Sequence, residues 1–521
     1  MAKDMRLWID QLEKAGSLAR ITKAVDPRTQ MGELLWQARD RALLFENLSG
    51  FPRWRCLGQA PSDVSLAPLA FECQRNEMVP EFLRRTEQLG TTRVVQSGPV
   101  KEKIMIGDEA DITKLPIHQA GVRDGGPYIG SGLMITKNPE TGPVQQNVLL
   151  GDEVDITTMP IHQAGIRDGG PFIGSGLMIT KNPETGRRNL SFHRLQMKGP
   201  RKTGIFIYPR HAWLNYQLYE QAGRAMPVAI IIGHHPMYYF AAATTTQYGV
   251  DELEIASALL DEEVELVKCE TVDIEVPAHA EIVLEGEIPP KVREEEGPFS
   301  EFQDYYLTGS GKNPVVEIKA VTMRHDAIFK TVQNGSEVEG CVYHKVPMSA
   351  QILRRLRSVG GFAEVKNVLV MPGIFTVVVQ MNPRYYGEAK NVLMAVLSGE
   401  YQHPKIAIAV DEDVDIFNYA DVLWAISARV KPQEDIVIIP GAKIHAMDAS
   451  CREFGSTGAP GWHRIGGKMI IDATKPPDCD PKRRFEFERL RPMGWETVRL
   501  EDFLPEGSPP PRFQSLLDNP R

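Results

Sequence analysis

The feature that most constrains this chain is a tandem repeat. Gly107–Gly142 and Gly151–Gly186 lie 44 residues apart and differ only at Ala110/Val154, Lys114/Thr158, Leu115/Met159, Val122/Ile166 and Tyr128/Phe172, so 31 of 36 positions are identical. Upstream, Gly98-Pro99-Val100 recurs as Gly142-Pro143-Val144. Two copies fall short of the three or so stacked units that a solenoid needs to bury its faces. Nor can two near-identical segments occupy one place in a fold. The residues downstream of each copy tell them apart. The second runs into Asn189-Leu190-Ser191-Phe192-His193-Arg194, whereas the positions 44 residues before Asn189, Ser191, His193 and Arg194 hold Gln145, Asn147, Leu149 and Leu150. The second copy is therefore expected to take the working place. About one repeat length within 98–150 is expected to loop out, at a closure cost that grows only with the logarithm of length.

The stretch Asn189–Arg194 comes after the turn Asn182-Pro183-Glu184-Thr185-Gly186, so it reads as a strand entered from a tight hairpin. Alternation puts Asn189, Ser191 and His193 on one face and Leu190, Phe192 and Arg194 on the other. Core packing explains such a strand poorly. A strand that wraps a ligand, with a bulge where Arg194 turns inward, explains it better, and an ordinary edge strand is the competing reading.

Around it the chain reads as α/β (α+β overall). An α/β lead-in over 1–97 has a helix from Arg6 to Lys14 and a strand over Ala42–Asn47. A β-rich segment over 98–312 contains the repeat (98–141 and 142–185). Alternating strands and helices over 313–475, beginning with Val315–Met323, read as a layered α/β domain. A Pro-, Arg- and Glu-rich tail over 476–521 is expected to pack on a neighbour or fray. With 42% hydrophobic residues the chain can bury sizeable cores, and its net charge of −9 excludes a general nucleic-acid or anionic-membrane binder. Scattered cysteines without a Cys-x-x-Cys pair, and no apolar run long enough for a bilayer, lead to the expectation of a cytoplasmic protein with reduced thiols and no membrane partner.

Two acidic features invite chemistry. On the helix expected over Asp251–Leu260, Glu252 shares a face with Ile255 and Leu259, and a carboxylate aimed into a core needs a cation or a metal. The bland alternative is a first-turn glutamate that favours the helix dipole. In Glu294–Glu301 the Gly297-Pro298-Phe299 turn fixes the backbone between Glu296 and Glu301, so two carboxylates are placed rather than free.

In order and separation, Asn189–Arg194, His211, Glu252, Glu296–Glu301 and Val410–Asp415 resemble the UbiD family of prenylated-FMN-dependent decarboxylases, over essentially the whole chain apart from one repeat copy. The resemblance implies a flavin-binding split β-barrel in the middle, a C-terminal layered α/β oligomerisation domain, and a homodimer or homohexamer. It implies a divalent metal, usually Mn2+, tying the cofactor phosphate to Asn189, His211 and Glu252. Cofactor contacts are implied for Asn189, Leu190, Ser191, Phe192, His193, Arg194, Arg210 and His211, and a catalytic trio of Arg194, Glu296 and Glu301. Arg194 would grip the substrate carboxylate, Glu296 would hold Arg194, and Glu301 would deliver the proton that replaces CO2. A flavin prenyltransferase would supply the cofactor. Where some members carry Trp after the metal-binding Asn, this chain has Leu190. Ala241-Ala242-Ala243-Thr244 differs from the Ser-Met version that supplies K+-site carbonyls, and His193 stands where cinnamate-type members have a small residue, as in members acting on hydroxylated benzoates. The implied activity is reversible non-oxidative decarboxylation of an aromatic or α,β-unsaturated acid. The alternatives are a plain-flavin split-barrel oxidoreductase and a non-catalytic flavin-binding relative spoiled by the repeat.

Overall fold

Strands rich in Ile, Val and Leu dominate the middle of the chain, and in the computed structural model six of them close on themselves. The described residues are 2–102, 148–150, 155–306, 311–358, 364–445, 447–450, 452–453, 464–491, 493, 497–498 and 500–503. The first repeat copy, and with it the expected excursion within 98–150, lies largely outside them.

The barrel runs in the order Ile282–Ile288, Met226–Ile232, Phe172–Lys181, Arg188–Gly199, Lys202–Ile205 and Val315–Met323, which pairs back to Ile282–Ile288. All six pairings are antiparallel. Val228, Ile230 and Ile232 alternate into one core with Ile282, Leu284, Ile288, Val316 and Ile318, the period-two pattern of strands lining an apolar interior. Closure leaves the barrel without free edges. Val148–Leu150, just ahead of Gly151, add alongside Ala320–Thr322.

The hairpin into the key strand forms as its residues demand. Asn182 Oδ1 accepts from the Glu184 and Thr185 amides at 2.8 and 2.9 Å, an Asx turn. Gly186 then takes φ +69°. The expected bulge occurs on the facing strand. Ile173 pairs with Leu195 and Gly176 with His193, so Gly174 and Ser175 together face Arg194. Two residues against one sharpen the local twist at that arginine.

N-terminal to the barrel, the helix Met5–Lys14 is capped by Asp4, whose carboxylate accepts from the Arg6 and Leu7 amides. Beyond it comes a four-stranded sheet, ordered Leu18–Ile21, Ala42–Phe45, Arg55–Gly58 and Ile328–Lys330. The division expected at 312/313 does not hold. Val315–Met323 closes the barrel and Ile328–Lys330 completes the lead-in sheet, so the first compact unit runs to Pro347. Both strands find partners far away in sequence, which local periodicity cannot register.

The second unit, Met348 onward, is a sheet ordered Val365–Val370, Thr376–Met381, Ile406–Val410, Arg464–Ala473 and Ile436–Ile444. Helices Glu388–Leu397 and Tyr419–Arg429 accompany it. The described part of the tail packs on this unit itself: Arg484 bonds Asp411 at 2.5 Å, and Arg489 bonds Asp421 of the second helix at 3.0 Å. Among the described residues no helix is long and apolar enough to cross a membrane.

Candidate active site

The first half of the site forms where the 188–199 strand meets two helix N-termini. Glu252 is the first residue of the helix Glu252–Leu260, capped by Asp251, which accepts from the Leu253 amide. Its carboxylate is 2% exposed and accepts from Asn189 Nδ2 at 2.9 Å and from the Leu190 amide at 2.8 Å. Burial raises the Glu252 pKa, against the pull of His211 and these donors. His211 opens the helix His211–Gln221 with Nδ1 3.9 Å from Glu252 Oε1, too far for a hydrogen bond. Its ring packs edge-on to Tyr248, with centroids 5.3 Å apart. Tyr248 in turn donates to Asn215 and accepts from Asn182.

The Asn189 amide is oriented by its own bonds. Its NH2 faces the Glu252 carboxylate, so Oδ1 points the other way, and that oxygen is buried with no hydrogen-bond donor. An orphaned buried amide oxygen is costly in a finished core. An amide oxygen, an imidazole and a carboxylate form a donor set that fits a hard or borderline divalent cation. Among the described residues no three His, Cys, Asp or Glu side chains cluster; the set here is two of these plus an amide.

The second half lies further along the same strand. Arg194 makes a two-pronged bond to Glu296, Nε to Oε1 at 3.1 Å and Nη2 to Oε2 at 3.2 Å, and Nη1 reaches Glu301 Oε1 at 2.5 Å. The guanidinium lies over the Phe299 and Phe206 rings, 4.6 and 5.1 Å from their centroids. Asn313 Nδ2 donates to Glu296 at 3.0 Å, so Glu296 is tied from two sides. Burial pushes the Glu301 carboxyl pKa up, against the lowering by Arg194. One arginine thus stands against two carboxylates.

The remaining expected residues divide. Ser191 and His193 share a face and bond to each other at 2.9 Å, while His193 Nδ1 reaches the Phe206 carbonyl at 3.2 Å. That carbonyl accepts the Nδ1 proton, so Ser191 donates to Nε2. Burial holds His193 neutral, with its pKa down to about 4. Leu190 is buried. Arg210 bonds Thr245 at the surface.

Phe192 apart, sequence reasoning passed over the aromatic rings beside the trio. Phe192 contacts Tyr239, Tyr343 and His344, and Phe302, next to Glu301, packs on His344 at 4.9 Å. It also passed over Asp168 and Gln196, which join the second repeat copy to the Glu296–Glu301 turn. The one available signal for Gln196 was its spacing, two residues past Arg194 on the same strand face.

Three domain families match in order: the 3-octaprenyl-4-hydroxybenzoate carboxy-lyase N-terminal domain over residues 9–86, the Rift-related domain over 92–144 and again over 140–337, and the C-terminal domain over 341–473. The Rift-related match breaks in two across the repeat. Phenolic acid decarboxylase of Streptomyces sp. (strain D7) is 27% identical over 497 residues, 92% of this chain and 94% of that one. Anhydromevalonate phosphate decarboxylase of Methanothermobacter thermautotrophicus is 34% identical over 372 residues, 70% of this chain and 74% of that one. Among solved structures, the UbiD-class enzyme HmfF from Pelotomaculum thermopropionicum in complex with FMN superposes with a TM-score of 0.80 at 33% identity, covering 96% of this chain and all of that one.

Proposed function

The chain belongs to the UbiD family of carboxy-lyases, and we propose that it decarboxylates an aromatic carboxylic acid, reversibly and without net oxidation, with prenylated FMN and a manganese-class divalent cation. The observation that carries this reading is Arg194 held between Glu296 and Glu301 against aromatic rings. Asn189 Oδ1, His211 and Glu252 would hold the metal, which would supply positive charge for an anionic cofactor. When bound, the prenylated flavin supplies the electron sink for the breaking C–C bond.

The rest falls to the chain's own side chains. Arg194 is already paired, so it meets a substrate carboxylate in a fixed orientation and without a reorganisation cost. Glu296 keeps the guanidinium plane in place. Glu301, whose pKa burial raises, would donate its proton to the carbon that loses CO2. In the reverse direction it takes that proton back. The rings of Phe192, Phe302 and His344 offer flat surfaces, which favours a planar ring acid over an extended aliphatic one.

The test is to produce the protein together with a flavin prenyltransferase and incubate it with a panel of aromatic and α,β-unsaturated acids in D2O. CO2 release with deuterium at the vacated carbon is the expected result. Oxidation of a reduced nicotinamide with no CO2 from any acid would favour the plain-flavin oxidoreductase instead.

A further inference from the structure

The turn that carries Glu301 is sewn to the second repeat copy. Asp168, which is 8% exposed, takes the Ser300 amide on Oδ1 at 2.6 Å and the Gly165 amide on Oδ2 at 2.8 Å, with the Ser300 hydroxyl 3.3 Å from Oδ2. One residue on, the Gly169 amide donates to the Pro298 carbonyl at 2.7 Å. Gln196 then bridges the two segments, its Nε2 donating to the Gly169 carbonyl at 2.6 Å and its Oε1 accepting from the Gly297 amide at 3.2 Å. The approach is close enough that a Cβ on Gly169 would sit 2.1 Å from the Gly297 carbonyl oxygen. The residue just before Glu301 is therefore fixed at both its amide and its hydroxyl, and that carboxylate reaches Arg194 from a backbone with little freedom.

We propose that Asp168 is a positioning residue for Glu301, acting through Ser300 to set the reach of the acid towards the carbon it protonates. The inference rests on the decarboxylase reading above and goes beyond it, because Asp168 touches neither Arg194 nor the metal-ligand set. It also gives the second repeat copy a task at the site. Asp124, at the matching place in the first copy, has no strand after it that bears Arg194 and Gln196. Around Asp168 the charged and titratable groups are Arg194, which lowers its pKa, and Tyr306, whose hydroxyl accepts from the Arg167 amide. Burial nonetheless raises the Asp168 carboxyl to about 6. The clamp is thus at full strength only above that pH.

The experiment uses the cofactor-loaded protein and two readouts. Asp168→Asn keeps an oxygen for the Ser300 amide but turns an NH2 towards the Gly165 amide, so the clamp loosens while side-chain volume is preserved. Turnover per bound flavin should fall about tenfold to a hundredfold, as displacements of an ångström or so produce. KM should stay within about threefold, because Arg194 is untouched. Flavin and metal content should be unchanged, and Asp168→Glu should recover part of the loss. In hydrogen exchange, Ser300 should be slow in the wild-type protein and at least about tenfold faster in Asp168→Asn. A purely structural role would lower the melting temperature and flavin content with turnover per flavin intact, and that result overturns the proposal. Fast exchange at Ser300 in the wild type overturns it even if no variant folds. A loaded wild-type protein that releases no CO2 from any acid would instead sink the decarboxylase reading, while the exchange data still report on the clamp.

Discussion

Replacing Glu301 by Gln separates proton delivery from binding. The amide keeps the shape and can still accept from Arg194 Nη1, which Glu301 holds at 2.5 Å. Arg194 also retains its two bonds to Glu296 and its two ring faces. What disappears is the proton. Loss of a general acid costs about 10²–10⁴-fold in rate, equivalent to about 3–5 kcal/mol of barrier. Stability should move little. Replacing the carboxyl acceptor by an amide weakens the bond from the cationic Arg194 by about 1–2 kcal/mol, while the variant has no buried carboxyl to ionise. The pH dependence has a definite sign. Because the folded-state pKa of Glu301 is raised, its contribution to stability is full below the ordinary glutamate value of 4.5 and is lost as pH rises through the folded value. Relative to wild type, Glu301→Gln should therefore look most stable at neutral pH and lose that advantage on acidification. The assay is CO2 release per bound flavin, with chemical denaturation at several pH values alongside. A Glu301→Gln protein that retains more than about a tenth of wild-type turnover would refute the assignment of the proton to Glu301.

The same geometry sets further outcomes. Arg188 bonds Asp251 at 2.8 Å, and these two residues directly precede Asn189 and Glu252. Arg188→Met should thus reduce metal content and flavin content together at unchanged fold, read by elemental analysis and absorbance; loss of neither would show that the pair is incidental. Deleting 107–150 brings Ile104-Met105-Ile106 to the position of Val148-Leu149-Leu150 beside Ala320–Thr322. The melting temperature and flavin content should hold or rise, and failure to fold would make the first copy structural. His162 and His193 are buried and His344 is half-buried, and desolvation lowers the pKa of each from 6.5 to about 4. Stability should be fully present above about 6.5 and fall as pH drops towards about 4. A flat profile over that window, or one unchanged by His193→Asn, would contradict buried neutral imidazoles.

How far the chain could be read beforehand depends on how local each signal is. Glu252 was legible because helix periodicity alone puts it on an apolar face, where a carboxylate needs explaining. Glu296 and Glu301 were legible through the rigid Gly-Pro-Phe between them, and the Asn182–Gly186 turn through its residue types. The barrel's closure was not. Val315–Met323 looks like any buried strand, and nothing nearby says that its partners are 282–288 and 202–205. Asp168 and Gln196 were hidden for a similar reason. Each acts on backbone amides more than 100 residues away, in a contact that only the fold creates.

The central claim is that Asn189, His211 and Glu252 form one metal site on which the cofactor depends. Metal and flavin content, measured together on wild type and Glu252→Ala produced with a flavin prenyltransferase, tests it most directly. Wild type should carry about one manganese-class ion per flavin, and Glu252→Ala should lose both with folding preserved. Stoichiometric flavin without metal in wild type, or unchanged metal and flavin in Glu252→Ala, would contradict it.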